Sequence, residues 1–334
     1  MLFLRNSVVK SDPTSIKRVA SVDIGTNTIL LLIAEVNEGK LKSLFEKETI
    51  VRLGEGLQKT GGLSSEAMER GLQTLAKYLE QCQAMKVQKI FAIGTSALRE
   101  ANNSKVFLKM VKEKLDLSIE IISGEKEAYL SFLAVARDLK EMEKPILVVD
   151  VGGGSTEFIL GKGGLITQWA SLPLGSVRFT EQFLLSDPVQ EGEWGKMEKE
   201  IRKSFINIPR PREPLSMVAV GGTATTLASV EQGLEEFVTE KIHHFVLKKE
   251  ALRNQLLLYR SRTIDERRKI PGLPPPRADV ILAGGAILYW AMDEFNCSSV
   301  LISCHGVRYG LLYKKISEFG LRSVRPPVPW RISD

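Results

Sequence analysis

Apolar and polar positions along the chain divide it into short β-branched runs and longer stretches with apolar residues at helical spacing. The runs at 18–24, 29–36, 89–93, 119–122, 147–151, 165–169, 217–220 and 300–303 read as buried strands. Region 41–53 alternates enough for further strands. Ser64 or Ser65 can cap a helix running to about Met85, with Met68, Leu72, Leu75 and Leu79 as its apolar stripe. Further helices are expected over 104–115, 124–139 and 191–206, from about 278, and after 306–310. Strands interleaved with helices predict an α/β fold.

One junction stands out. The run Leu147-Val148-Val149 leads into Asp150, then Gly152, Gly153, Gly154, Ser155, Thr156 and Glu157. Consecutive glycines let a backbone turn tightly and bring N–H groups close to a ligand. The hydroxyls add donors, and the two acids are hard oxygen ligands of the kind Mg²⁺ takes. Such a set suits a metal-complexed phosphate; an ordinary glycine turn with solvated acids is the plainer reading. A second copy favours the first. Asp23 ends a strand, Gly25, Thr26, Asn27 and Thr28 follow, and another strand begins at once. Two hairpins with the same grammar predict two similar halves facing each other across a cleft. The boundary between the halves is expected near Lys144-Pro145, giving 18–140 and 141–320, with an N-terminal extension (1–17) and a Pro-rich tail (321–334).

Other strand ends carry related chemistry. Thr95, Ser96 and Arg99 follow the run at 89–93, and an Arg can hold phosphate through two N–H groups. Gly221, Gly222 and Thr223 open a helix, so its free N–H groups point at whatever the glycines admit. Glu125 and Glu127 lie in a first helical turn, where acids complement the macrodipole. The stretch 260–277 is basic (Arg260, Arg262, Arg267, Arg268, Lys269, Arg277) and reads either as a solvated face or as a track for a polyanion.

Composition narrows the classes. A chain of 334 residues can bury two domains' worth of core. A net charge of +6 fits an anionic substrate without identifying one. Cys82, Cys297 and Cys304 are odd in number, lack metal spacing and look like reduced cytosolic thiols. The uncharged apolar stretch 280–292 is too short to span a bilayer. His243 and His244 are adjacent, so on a helix they would point apart, and His305 is remote in sequence; the three are not expected to make a metal set.

Taken together and in order, Asp23 to Thr28, Thr95 to Arg99, Ser123 to Ala128, Asp150 to Glu157, Gly221 to Thr226 and Arg277 to Ile281 resemble the exopolyphosphatase / guanosine pentaphosphate phosphohydrolase (Ppx/GppA) family over roughly residues 18–315. The resemblance implies two ribonuclease-H-like domains of the actin / sugar kinase / Hsp70 superfamily flanking a cleft. It implies Glu127 as the base that activates water, Asp150 and Glu157 as Mg²⁺ ligands with Asp23 near the metal, and phosphate binding by Gly25, Thr26, Asn27, Thr28, Ser96, Arg99, Gly152, Gly153, Gly154, Ser155, Thr156, Gly222, Thr223 and Arg277. The implied partners are inorganic polyphosphate or guanosine penta-/tetraphosphate, with no nucleic acid and no membrane, in a cytoplasmic homodimer. Lys126 stands where many members carry an acid, and His305 and Tyr309 depart from the usual residues around Gly306 and Gly310. Nothing in the sequence resembles the C-terminal helical domain of longer members, so a long polyphosphate channel would be missing or made with a second subunit. The leading expectation is a Mg²⁺-dependent exopolyphosphatase. Hydrolysis of pppGpp to ppGpp is the nearest alternative, and a non-catalytic sensor or a kinase the more distant ones.

Overall fold

The computed structural model describes residues 17–139, 144–206, 208, 210 and 213–318. The N-terminal extension up to residue 16 and the Pro-rich tail lie outside the described residues. The first sheet contains β1 (Arg18–Ile24), β2 (Thr28–Asn37), β3 (Lys40–Ile50), β4 (Lys89–Gly94) and β5 (Ile119–Ile121), in the order β3-β2-β1-β4-β5. The second contains β6 (Ile146–Val151), β7 (Thr156–Lys162), β8 (Leu165–Leu172), β9 (Ser216–Val220), β10 (Val246–Lys248) and β11 (Ser299–Ile302), in the order β10-β11-β9-β6-β7-β8. In each sheet the opening strand pairs antiparallel with the next and parallel with the following one: β1 with β2 and β4, β6 with β7 and β9. The order β3-β2-β1-β4-β5 recurs as β8-β7-β6-β9-β11, with β10 added at the edge, so a ribonuclease-H-like arrangement is built twice.

The helices are α1 (Leu57–Thr60), α2 (Ser65–Ala84), α3 (Ser96–Glu100), α4 (Ser104–Leu115), α5 (Gly124–Asp138), α6 (Ser176–Phe183), α7 (Glu191–Ser204), α8 (Gly221–Glu231), α9 (Thr239–Ile242), α10 (Lys249–Arg260), α11 (Ile264–Arg267), α12 (Ile281–Glu294) and α13 (Val307–Glu318). Local signals set several ends. Ser64 caps α2 by accepting the Ala67 N–H at 3.1 Å, and Ser123 caps α5 by accepting that of Lys126 at 3.2 Å. Region 41–53 holds one strand rather than several. The helix expected from 278 starts at Ile281, because Pro274 to Pro276 force a 3₁₀ turn ahead of it.

Two helices knit the halves together. α5 buries Ala128, Phe132 and Val135 against Ile146, Val148 and Ile159 of the second sheet. α13 buries Tyr309, Leu312 and Ile316 against Val19, Leu32 and Ala34 of the first. A division at Lys144 puts α5 with the first half and α13 with the second; the packing exchanges them. They cross at Gly310, where a Cβ would lie 1.9 Å from the Leu130 carbonyl oxygen, so only glycine permits the approach.

Candidate active site

The two glycine loops have the same backbone geometry. Gly25 N–H donates to Thr28 O at 2.9 Å, and Gly152 N–H donates to Ser155 O at 3.0 Å, one tight turn at the end of β1 and one at the end of β6. The start of α6 holds the second loop from behind, with Ser176 and Val177 N–H donating to Gly152 O and Gly153 O, each at 2.9 Å. Between the loops lies a cleft cavity, open at its mouth. The first loop carries polar atoms with nothing to bond: Thr26 Oγ1 and both side-chain amide atoms of Asn27 are buried without partners. Buried polar groups are normally satisfied, so these await a ligand.

Four carboxylates gather at the floor. Asp23, Glu127 and Asp150 line the cavity, and Glu157 lies behind them, 1% exposed. Burial, together with Asp150, pushes Asp23 up to about 7. Burial and Asp150 likewise push Glu157 up to about 8, against the pull of hydroxyls on Ser171 and Ser155. Asp150 is raised by burial although Ser131 Oγ donates to its Oδ2 at 2.6 Å. Glu127 is raised well above its usual value by burial and by Glu157. Acids that resist ionising beside one another are what a divalent cation would reconcile, since it supplies the missing positive charge. The all-oxygen donor set, and the buried, unpartnered Asp23 Oδ1, fit a hard ion such as Mg²⁺.

The cleft arginines are paired in turn. Arg99 Nη1 donates to Glu127 Oε2 at 3.0 Å and to Ile122 O at 3.0 Å. Arg277 is buried, hydrogen-bonds Glu48 of β3 and reaches Thr28 Oγ1 at 3.4 Å. It crosses from the second half to reach them, and it packs so tightly over the start of α8 that a Cβ on Gly222 would be 2.0 Å from its Nη2. Arg178 spans both halves: Nε donates to Gly154 O at 2.8 Å, Nη1 to Gln58 at 2.6 Å and Nη2 to Glu100 at 2.5 Å. Glu100 also accepts from Ser96 Oγ at 2.8 Å.

Most residues named from the sequence therefore face one cavity: Gly25 to Thr28, Ser96, Gly152 to Ser155, Gly222, Thr223 and Arg277, besides three of the acids. Arg99 reaches it through Glu127. Thr156 does not: its hydroxyl is fully buried and donates to Leu174 O at 2.6 Å, because side chains alternate along β7 and this one faces the sheet's packed side. The basic residues of 260–277 do not share one exposed face. Arg260 pairs with Glu191, Arg268 with Asp265, and Arg267 is 1% exposed, donating to the Tyr259 carbonyl at 2.6 Å. Sequence reasoning missed Glu48, Glu100, Ser131 and Ser171, none of which sits in a glycine motif; Arg178 is visible in sequence as an Arg following small residues after a strand, but its partners are not. The histidines also differ from expectation, for His305 packs against His243 with ring centroids 4.4 Å apart and planes tilted by 35°.

These loops, acids and arginines across a cleft define a two-domain α/β protein built to handle phosphate. Comparison narrows the class. Residues 32–319 match the Ppx/GppA phosphatase family, and the chain belongs to that family. It is 33% identical over 287 residues to exopolyphosphatase 2 of Mycobacterium tuberculosis, covering 82% of this chain and 89% of that protein. It is 36% identical over 301 residues to the bifunctional 3-dehydroquinate synthase/phosphatase of Fusobacterium nucleatum, covering 85% of this chain but only 44% of that longer protein. The crystal structure of the Aquifex aeolicus Ppx/GppA family member superposes with a TM-score of 0.77 at 34% identity, covering 90% of this chain and 98% of that one.

Proposed function

We propose that the protein is a Mg²⁺-dependent exopolyphosphatase, which cleaves the terminal phosphoanhydride of inorganic polyphosphate and releases orthophosphate. The observation that carries this reading is the convergence of Asp23, Glu127 and Asp150 on the cavity, backed by buried Glu157, between two glycine loops, the first of which carries unpartnered polar side-chain atoms. Asp150, Glu157 and Asp23 would hold Mg²⁺, which supplies the charge neutralisation that phosphoryl transfer requires. The N–H groups and hydroxyls of Gly25 to Thr28 and Gly152 to Ser155 bind and orient the terminal phosphate. Glu127 takes the proton of the attacking water. Arg99 already engages Oε2, which leaves Oε1 to face that water and fixes the carboxylate's orientation.

A second reading, hydrolysis of the 5′ γ-phosphate of pppGpp, has one observation in its favour. A recess adjoins the main cavity, sharing Asp23, Glu48 and Asp150 with it, and half-exposed Phe237 lines it. An aromatic ring there offers a base a stacking surface.

Orthophosphate release with Mg²⁺ separates the two, with long-chain polyphosphate, short-chain polyphosphate and pppGpp compared at equal concentrations of terminal phosphate. Polyphosphate preference by kcat/KM supports the first reading, and pppGpp preference replaces it with the second. No release from any of them, with binding intact, would favour a sensor.

A further inference from the structure

Away from the cleft, Asp138 at the last position of α5 faces three imidazoles. His244 Nε2 lies 2.7 Å from its Oδ2, His243 Nε2 3.3 Å from Oδ1, and His305 Nδ1 3.7 Å from Oδ1. One donor atom each from Asp138, His243 and His305 falls within 4.8 Å of the others. The rings form a column, with His244 3.9 Å from His243, His243 4.4 Å from His305, and His305 3.9 Å from Tyr309. His305 Nδ1 is buried and has no hydrogen-bond partner. The cluster joins the end of α5, the residue run just before α13, and a segment tied to β11 through His244 N–H to Ile302 O at 2.7 Å.

The cluster offers one carboxylate oxygen and two imidazole nitrogens within reach of a single ion, with a third imidazole beside them.

We propose that Asp138, His243 and His305 form a second cation site, selective for a borderline transition-metal ion such as Zn²⁺ or Co²⁺, with His244 as a further ligand. Imidazole nitrogen suits these ions, whereas Mg²⁺ prefers oxygen and gives up its water reluctantly. The two sites of the molecule would therefore take different metals. Ligation has a defined cost. Cys304 N–H donates to His243 Nδ1 at 3.2 Å, which places the ring proton on Nε2. Coordination through Nε2 moves that proton to Nδ1, breaks the Cys304 contact, and turns the His243 and His305 rings, now 35° apart in plane, until their lone pairs converge. The proposal does not depend on which phosphate compound the cleft hydrolyses.

Tag-free, chelator-treated full-length protein, re-equilibrated with saturating Mg²⁺, is titrated with Co²⁺ and followed by its visible ligand-field bands. The expected result is one Co²⁺ per chain in the presence of Mg²⁺, displaced by Zn²⁺. Affinity should fall at least tenfold in Asp138→Asn and in His305→Gln, which keeps a polar side chain of similar reach, and stay unchanged in Asp150→Asn. Circular dichroism establishes that each variant is folded. Absence of Co²⁺ binding under Mg²⁺, binding unaltered in both cluster variants, or loss in Asp150→Asn instead would each overturn the proposal.

Discussion

The cleft and the α5–α13 crossing each concentrate ionisable groups in a partly buried place, with opposite results. In the cleft, carboxylates face carboxylates, and burial keeps them from ionising: Asp23 and Glu157 rise to about 7 and about 8. At the crossing one carboxylate faces three imidazoles, and hydrogen bonds outweigh burial, so Asp138 drops to about 2. The surroundings, more than the residue type, decide what a buried acid does. The first arrangement is incomplete without a strong positive charge and so suits a divalent ion with a phosphate. The second is held by hydrogen bonds from His243 and His244, with only His305 Nδ1 left unpartnered, and an ion must displace the proton on His243.

The sharpest way to break this comparison is to remove the one cleft acid read as a base. Glu127→Gln keeps the size and the Arg99 contact but cannot accept a proton. Phosphate release should fall by about 10²–10⁴-fold in kcat, the usual range for a lost general base, while binding of non-hydrolysed substrate persists. Undiminished turnover would remove Glu127 from the chemistry and leave the family assignment standing.

A smaller effect is expected from the bridge between the halves. Arg178 ties the carbonyl of Gly154 to Glu100 and Gln58 across the cleft, and Glu100 in turn holds Ser96. Arg178→Met should lower kcat/KM by about tenfold, given that misplacing loop donors weakens transition-state contacts that each count for a few kcal/mol. Glu100→Gln should do the same, and the double variant should be hardly worse than either, because both remove one network. Additive losses in a double-mutant cycle would show that the two act separately.

The smallest effect is thermodynamic. With no cation bound, Asp23 and Glu157 keep their protons to about 7 and about 8, against about 4 in an unfolded chain. The folded protein then holds more protons than the unfolded one, so this contribution is complete below about pH 4 and disappears as pH rises through 7 and 8. Chelator-treated protein should lose a few degrees of melting temperature between pH 6 and pH 9. Mg²⁺ should flatten that slope, and Asp23→Asn should reduce it without metal. A slope unchanged by either would mean that the cleft acids are not the groups responsible.

Much of this was legible in the sequence because it is local. A glycine turn between an acid and a strand needs only a few residues to specify it, and the loops at 25–28 and 152–155 indeed close with the same hydrogen bond. The stripe on α2 and the caps at Ser64 and Ser123 are equally short-range. Thr156 shows where this ends: it belongs to the motif, yet strand alternation turns its hydroxyl to Leu174. Arg267 shows the same for charge, since a basic run in sequence says nothing of which guanidinium the fold buries.

The sequence by itself determined the two repeated junctions, the strands and helices around them, and the acids and hydroxyls available for phosphate chemistry, since turn chemistry and side-chain periodicity act over a few residues. Only the tertiary structure decided that α5 and α13 exchange sheets, that Arg178 and Glu100 bridge 78 positions of chain to brace the loops, and that His305 comes to rest on His243 beside Asp138. Those contacts join residues far apart along the chain. They depend on how whole layers pack, and no local pattern encodes them.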